Sequence, residues 1–188
     1  MSAPKTIGIV GLGLIGARWT AVFAHAGIDV IAYDPSAERW REFEEAAPSL
    51  FADLAFLMPG SARRGSITFV EALDERFAPV EFVQENAPER LELKQQLLPQ
   101  IEKVVGDRVV IASSSSALLV SDFQQACSRP ERIVLGHPFN PAHLMPLVEI
   151  VGGRRTAPWA VEQARAVYDA IGKKPVVMTR EVTGHIAL

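Results

Sequence analysis

The sequence predicts a doubly wound α/β fold with a mainly parallel sheet. Short apolar runs alternate with longer amphipathic segments along the chain, which is the strand–helix order of such folds. Most of the runs are continuous, as in strands that are buried on both faces of a parallel sheet. A glycine-spaced turn also joins the first predicted strand to the first predicted helix.

The predicted elements follow from these patterns in chain order. Strands are predicted at the apolar runs 7–10, 28–33, 66–69, 80–84, 109–112, 132–136, 147–151 and 175–178. Helices are predicted where apolar residues recur at helical spacing, at 17–26, 36–46, 50–57, 72–77, 88–105, 118–126 and 158–171. Gly27 and Pro35 end the first helix and the second strand, and Ser36 suits the N-cap of the next helix. Pro48 is expected to interrupt that helix, and 59–61 to close the resulting helical hairpin.

The turn after the first strand has the spacing of a dinucleotide-binding turn. It consists of Gly11, Leu12, Gly13, Leu14, Ile15 and Gly16. Gly11 permits the tight turn, Gly13 lets the backbone approach a pyrophosphate, and Gly16 lets the helix pack closely on the strand. The helix N-terminus adds unpaired N–H groups and a positive dipole end for the phosphates. A glycine-rich turn without a ligand is the alternative, but the strand–turn–helix context favours a nucleotide site.

Asp34 follows the second predicted strand, 18 residues after Gly16. A carboxylate at this place accepts hydrogen bonds from both hydroxyls of the adenosine ribose. Because the carboxylate would repel a 2′-phosphate, NAD is the predicted cofactor rather than NADP. Arg39 lies close enough in sequence to tolerate such a phosphate, but Asp34 is expected to dominate.

The composition of the 188 residues is ordinary for a globular domain, with 48% hydrophobic and 22% charged residues. A net charge of −3 gives no reason to expect a nucleic acid or an anionic membrane as partner. No apolar run approaches the ~20 residues of a membrane span, and the first strand begins too early to leave room for a signal peptide. Cys127 is the single cysteine, and we interpret it as a packing residue. We expect a cytoplasmic location and no metal site.

Two predicted loops carry the groups that hydride transfer needs beside a nicotinamide. These groups are a base for the hydroxyl proton, a group that orients the base, and donors for the substrate oxygen. Ligands of doubly wound sheets bind beyond the carboxyl ends of the strands, where the sequence places the serine run 113–116 and, in a loop, His137. Glu149 lies within an apolar strand and needs a partner, for which His137 is the obvious choice. His143 is a rival imidazole, interpreted as a loop or surface residue. Alternatives without a role in catalysis stay open: His137 as a structural histidine, Glu149 as an edge-strand residue that faces water, and 113–116 as a flexible linker.

Three segments of the chain resemble the 3-hydroxyacyl-CoA dehydrogenase superfamily. They are GLGLIG, SSSSALLVSDF and GHPFNPAHLMPLVEIVGG, and the resemblance covers the entire chain as the N-terminal NAD-binding domain of that family. The likeness is closer to the non-CoA branch, the L-carnitine dehydrogenases and the lambda-crystallin type L-gulonate 3-dehydrogenases. Its signs are HPFNP where acyl-CoA enzymes typically have HFFNP, the QENAPERLELK segment, and a short hairpin between Asp34 and Glu85. The resemblance implies a Rossmann-type domain and NAD-dependent oxidation of an L-3-hydroxy acid.

The resemblance also assigns roles to individual residues. It implies that His137 is the general base, that Glu149 orients it, and that Ser116 bonds the substrate oxygen. The implied cofactor contacts, besides the glycine turn and Asp34, are Ser116, Asn140, Glu85 and Arg90.

For the domain organisation, the resemblance implies that residues 1–181 form the NAD-binding domain and that 182–188 begin a helical domain. In the family that second domain closes the substrate pocket and makes a homodimer. Leu188 stands where the family has an active-site asparagine, and we interpret it as a chain boundary. Three alternatives remain: an enzyme of acyl-CoA thioesters in fatty acid metabolism, a crystallin-like protein without catalysis, and a 6-phosphogluconate-type dehydrogenase with a lysine base.

Overall fold

The computed structural model describes residues 3–58 and 63–184, and within them eight strands and five helices. The strands are β1 Thr6–Val10, β2 Asp29–Tyr33, β3 Ile67–Val70, β4 Phe82–Glu85, β5 Val110–Ser113, β6 Ile133–Pro138, β7 Leu147–Gly152 and β8 Lys174–Val177. The helices are α1 Leu14–His25, α2 Ala37–Leu57, α3 Leu91–Val104, α4 Val120–Phe123 and α5 Pro158–Ala170. Short 3₁₀ turns lie at Glu75–Phe77, Gln124–Ala126 and Pro130–Arg132.

The strands form one sheet in the order β3-β2-β1-β4-β5-β6-β7-β8. Strands β1 to β6 run parallel, β7 runs antiparallel to β6, and β8 runs parallel to β7. The chain reverses its direction of travel across the sheet between β1 and β4, which is the switch point where doubly wound folds bind ligands. The predicted doubly wound, mainly parallel fold is confirmed.

Hydrophobic cores cover both faces of the sheet. On one face α1 and α5 pack through Trp19, Phe23 and Tyr168, with ring centroids 5.5 Å apart in the Trp19–Phe23 and Trp19–Tyr168 pairs. On the other face α3 and α4 pack through Leu98 and Phe123. Because the strands bury side chains on both faces of the sheet, they need continuous apolar runs, and the sequence contains such runs.

Three predicted helices differ from the observed ones. Helix α2 runs without interruption through Pro48, so the predicted break is wrong. Pro48 is exposed, and water can bond the carbonyl group that its ring leaves without a donor. The helix predicted at 72–77 is only the 3₁₀ turn Glu75–Phe77, begun by an Asp74 carboxylate that accepts from the Arg76 N–H at 3.1 Å. The segment 118–126 divides into α4 and a 3₁₀ turn. The predicted hairpin closure at 59–61 lies outside the described residues.

In the part of the chain that the structure describes, no helix has both the length and the apolar character needed to cross a bilayer.

Candidate active site

The glycine turn has the backbone geometry that its spacing predicts. Gly11 has a φ of 89°, a left-handed conformation that favours glycine, and its N–H donates to the Tyr33 carbonyl oxygen at 2.8 Å. A Cβ atom on Gly16 would lie 1.8 Å from the Gly11 carbonyl oxygen. Any side chain at Gly16 would therefore push α1 away from the turn that β1 leads into.

A cavity of about 540 Å³ opens beside this turn. Its wall consists of Val10, Gly11, Gly13, Leu14, Ile15, Tyr33, Asp34, Pro35, Arg39, Asn86, Ala87, Pro88, Leu93 and Leu97. A Cβ atom on Gly13 would meet nothing within 4 Å, so open space lies in front of the backbone at the start of α1. The cavity, the bare Gly13 backbone and the helix N-terminus together fit a dinucleotide.

The Asp34 carboxylate is held at the rim of this cavity. Its Oδ2 accepts from the Leu12 N–H at 2.9 Å and its Oδ1 from the Ser36 N–H at 3.0 Å. Both donors are backbone N–H groups, so these two bonds orient the carboxylate and leave its negative charge in place. This position at the end of β2 is the one expected for a ribose-binding acid.

His137 and Glu149 lie opposite each other on neighbouring strands. The antiparallel register pairs them directly, and His137 Nδ1 lies 3.0 Å from Glu149 Oε2. Their side chains are 8% and 3% exposed. Directly paired residues project from the same face of an antiparallel pair, which explains how residues 12 apart in sequence meet. The predicted pairing is present, but His137 belongs to β6 and not to a loop as expected.

His143 lies in the loop after β6, as one of its two predicted alternatives has it, but it is buried and not on the surface. It is 5% exposed, and its Nε2 lies 3.2 Å from Asp53 Oδ2 on α2. The loop that follows β6 therefore packs against α2, and the two buried histidines have separate carboxylate partners.

Asn140 follows β6 and bonds to the helix of the glycine turn. Its Oδ1 accepts from Arg18 Nη1 at 2.7 Å. This contact joins the loop that continues from His137 to the start of α1, although the two segments are 122 residues apart.

The Glu85 side chain points into the protein and not towards the cavity. Glu85 is 0% exposed, and both carboxylate oxygens lie 2.9 Å from the Nζ of Lys94, which is 1% exposed. The carboxylate also accepts from Ser113 Oγ at 2.6 Å and from the Ala87 N–H at 2.6 Å. The predicted cofactor contact of Glu85 therefore conflicts with a side chain already occupied by an internal ion pair. Arg90 is exposed at the start of α3 and is not in the wall of the cavity.

Lys94 itself was missed by the sequence reasoning. Its signal was present, because Leu91, Lys94, Leu98 and Ile101 follow the spacing of one helix face. A lysine on an otherwise apolar helix face needs a buried carboxylate partner.

The serine run 113–116 forms hydrogen bonds mainly with other residues of the protein, and Glu89 binds its last residues. Glu89 Oε1 accepts from the N–H groups of Ser116 (3.2 Å), Ala117 (2.8 Å) and Leu118 (3.0 Å), and from Ser115 Oγ at 2.5 Å. Burial acts to raise the pKa of Glu89, but these hydrogen bonds lower it overall. The half-buried Ser116 is thus placed by backbone bonds to a residue that local sequence patterns did not reveal.

A buried polar network behind the cavity was also missed. The Gln84 amide nitrogen donates to Ser114 Oγ at 2.8 Å and to the Gly136 carbonyl oxygen at 3.1 Å, and its oxygen accepts from Tyr168 Oη at 2.6 Å. Ser114 Oγ in turn donates to Asn86 Oδ1 at 2.7 Å, in the cavity wall. The network joins β4, the loop after β5, β6 and α5 behind the cavity.

Comparison with known proteins agrees with this geometry. The model of the family described as 3-hydroxyacyl-CoA dehydrogenase, NAD binding domain, matches residues 6–182. An L-carnitine dehydrogenase from a Pseudomonas species is 42% identical over 185 residues, which cover 97% of this chain and 57% of that protein. The chain spans little more than half the length of the curated relatives that it matches first.

Two solved structures share the fold at 29% identity. A 5-formyl-3-hydroxy-2-methylpyridine 4-carboxylic acid 5-dehydrogenase, an NAD⁺-dependent dismutase, superposes with a TM-score of 0.90 over 97% of this chain and 60% of that one. A 3-hydroxybutyryl-CoA dehydrogenase from Escherichia coli K12 superposes with a TM-score of 0.83 over 94% of this chain and 38% of that one. The predicted cofactor, NAD, is confirmed at the level of the family, and the chain belongs to the NAD-binding domain family of the 3-hydroxyacyl-CoA dehydrogenases.

Proposed function

We propose that this chain is the cofactor domain of a dehydrogenase that oxidises an L-3-hydroxy acid with NAD. The observation that carries the proposal is the 3.0 Å contact of His137 with Glu149 near the carboxyl end of β6. Because β1, β4, β5 and β6 run parallel, that end lies on the same edge of the sheet as the glycine turn. A base with its orienting acid and a nucleotide cleft therefore share one edge.

In the proposed reaction NAD, when bound at the glycine turn, would supply the acceptor for the hydride that leaves C3 of the substrate. His137 takes the hydroxyl proton at Nε2, because Nδ1 faces the Glu149 carboxylate. Glu149 holds the ring in this orientation and stabilises the imidazolium that forms. Ser116 would hold the substrate oxygen, and Asn140 would hold the carboxamide region of the nicotinamide. The products are a 3-oxo acid, NADH and a proton that His137 releases.

A free hydroxy acid of the carnitine or gulonate type is the favoured substrate. The 42% identity to an L-carnitine dehydrogenase supports it, as does the sequence likeness to the non-CoA branch. A 3-hydroxyacyl-CoA thioester is the alternative, supported by the family match and by the likeness to a 3-hydroxybutyryl-CoA dehydrogenase.

We further propose that residues 182–188 begin a helical domain that completes the substrate pocket and makes a homodimer. The protein that includes this second domain is called the two-domain protein below. The chain of 188 residues should bind NAD and turn over substrate poorly. A cytoplasmic location remains a prediction from the sequence alone.

The decisive experiment is a substrate panel on the two-domain protein, followed by NADH absorbance. The panel contains L-carnitine, L-gulonate, L-3-hydroxybutyrate and 3-hydroxybutyryl-CoA, each with NAD and with NADP. Turnover of a free acid with NAD supports the proposal. Turnover of the thioester alone, or equal use of NADP, would contradict the proposed substrate class or the role of Asp34 respectively. Absence of turnover with every substrate would favour a non-catalytic protein.

The role of His137 has its own test. In the two-domain protein His137→Gln should lower kcat by about 10²–10⁴, the usual contribution of a general base. His25→Gln is the matched control, because His25 lies at the far end of α1. Within the part of the chain that the structure describes, its ring forms a hydrogen bond only with the Met58 carbonyl oxygen, at 3.1 Å. A His137→Gln protein with near-normal kcat would remove His137 from the proposed role.

A further inference from the structure

Arg18 reaches from the second turn of α1 to the loop after β6. Its Nη1 donates to Asn140 Oδ1 at 2.7 Å. Asn140 lies three residues after His137, so this bond brings the guanidinium to the loop that continues from the strand of the proposed base. The same bond fixes the Asn140 amide, because its oxygen faces Arg18 and its nitrogen is left to donate to a ligand.

A second cavity, of about 300 Å³, lies between α1 and α2 and has two arginines in its wall. Arg39 is neutralised by Glu42, whose Oε2 lies 2.6 Å from Arg39 Nη1. Arg18 has no such partner: among residues 3–58 and 63–184 no carboxylate forms an ion pair with it. Its Nε is buried and has no hydrogen-bond partner in the same part of the chain. The cavity thus contains a positive charge that nothing in the described structure compensates.

A carboxylate is the chemistry that satisfies such a group. The half-buried guanidinium presents N–H groups in a planar fork that matches the two oxygens of a carboxylate. Leaving buried donors without acceptors destabilises a protein, so a ligand that supplies two oxygens gains free energy here.

We propose that Arg18 binds the carboxylate of a free L-3-hydroxy acid and so selects free acids over thioesters. This inference rests on the proposed function and makes its substrate class more specific. In a 3-hydroxy acid the carboxylate is separated by one methylene from the carbon that loses the hydride. A group that binds the carboxylate therefore also positions C3 near His137. A CoA thioester has no negative charge at C1 and leaves Arg18 unpaired.

The test compares acids with their uncharged methyl esters in the two-domain protein. The substrates are L-carnitine, L-3-hydroxybutyrate and the methyl ester of each, with saturating NAD. Arg18→Gln should lower kcat/KM for the acids by about 10- to 100-fold, the range for hydrogen bonds to a charged group, mainly through KM. The values for the esters should fall much less, because an ester loses only the bond by which Arg18 holds Asn140. Arg18→Lys keeps the charge but not the fork, so it should retain part of the preference for acids.

Arg41→Gln is the control for loss of one positive charge, because Arg41 is exposed on α2. The NAD dissociation constant and the melting temperature of each variant are measured alongside, to detect misfolding or a damaged cofactor site. Equal losses for acid and ester would show that Arg18 acts only through Asn140, and this would overturn the inference while the proposed function stands. Turnover of 3-hydroxybutyryl-CoA with no turnover of any acid would overturn both.

Discussion

The buried ion pair of Glu85 and Lys94 makes a sharp prediction about stability. Lys94→Met leaves a carboxylate that is 0% exposed without its cation, and Glu85→Gln leaves an ammonium group that is 1% exposed without its anion. Removal of one partner from such a pair costs about 3–5 kcal/mol of unfolding free energy. We expect each single substitution to fall in this range, with Glu85→Gln at the lower end because the amide oxygen still accepts from the Ala87 N–H.

The double variant isolates the interaction between the two groups. Glu85→Gln combined with Lys94→Met removes both charges, so it should cost less than the sum of the two single substitutions. The assay is urea denaturation of the chain, followed by the fluorescence of its three tryptophans. Asp107→Asn is the matched control: it breaks the exposed Arg129–Asp107 pair of 2.9 Å and should cost less than about 1 kcal/mol.

The same variants distinguish a structural role of Glu85 from a role in cofactor binding. If Lys94→Met changed the unfolding free energy no more than Asp107→Asn does, the reasoning on burial would be refuted. If Glu85→Gln weakened NAD binding at unchanged stability, Glu85 would be a cofactor contact.

Three further predictions concern single residues. Gly16→Ala should abolish NAD binding, because its Cβ would lie 1.8 Å from a backbone oxygen, whereas Gly13→Ala should fold normally and only weaken NAD binding in calorimetric titrations. Burial raises the pKa of Cys127 to about 12, so the native thiol should resist a disulfide reagent at pH 8 and react once urea unfolds the chain. Burial lowers the pKa of Lys173 from 10.5 to about 8. At pH values between 8 and 10.5, Lys173 therefore carries a proton in the unfolded chain but not in the folded one. The unfolding free energy should therefore rise from pH 8 to 10.5 by up to about 3 kcal/mol relative to Lys173→Met, as measured by denaturation at each pH.

Local patterns were enough to predict the backbone geometry of the glycine turn and the place of Asp34 at the end of β2. The requirements at Gly11 and Gly16 act within a few residues, since one needs a positive φ and the other needs contact with the turn beside it. The position of Asp34 follows from the length of one strand–helix–strand unit. The same kind of reasoning failed at Pro48. A proline shows where a backbone hydrogen bond of a helix is missing, but not whether water can replace the missing donor.

The amino-acid sequence by itself determined which segments become strands, where most of the helices and the glycine turn lie, and that an acid within β7 needs a partner. Only the tertiary structure decided the pairings between distant residues. The antiparallel register of β7 sets His137 against Glu149, packing of α3 on the sheet turns Glu85 inward onto Lys94, and the loop after β6 brings Asn140 to α1. The physical reason is that backbone preferences act over a few residues, whereas the partner of a buried charge depends on which segments the whole fold brings within hydrogen-bond distance.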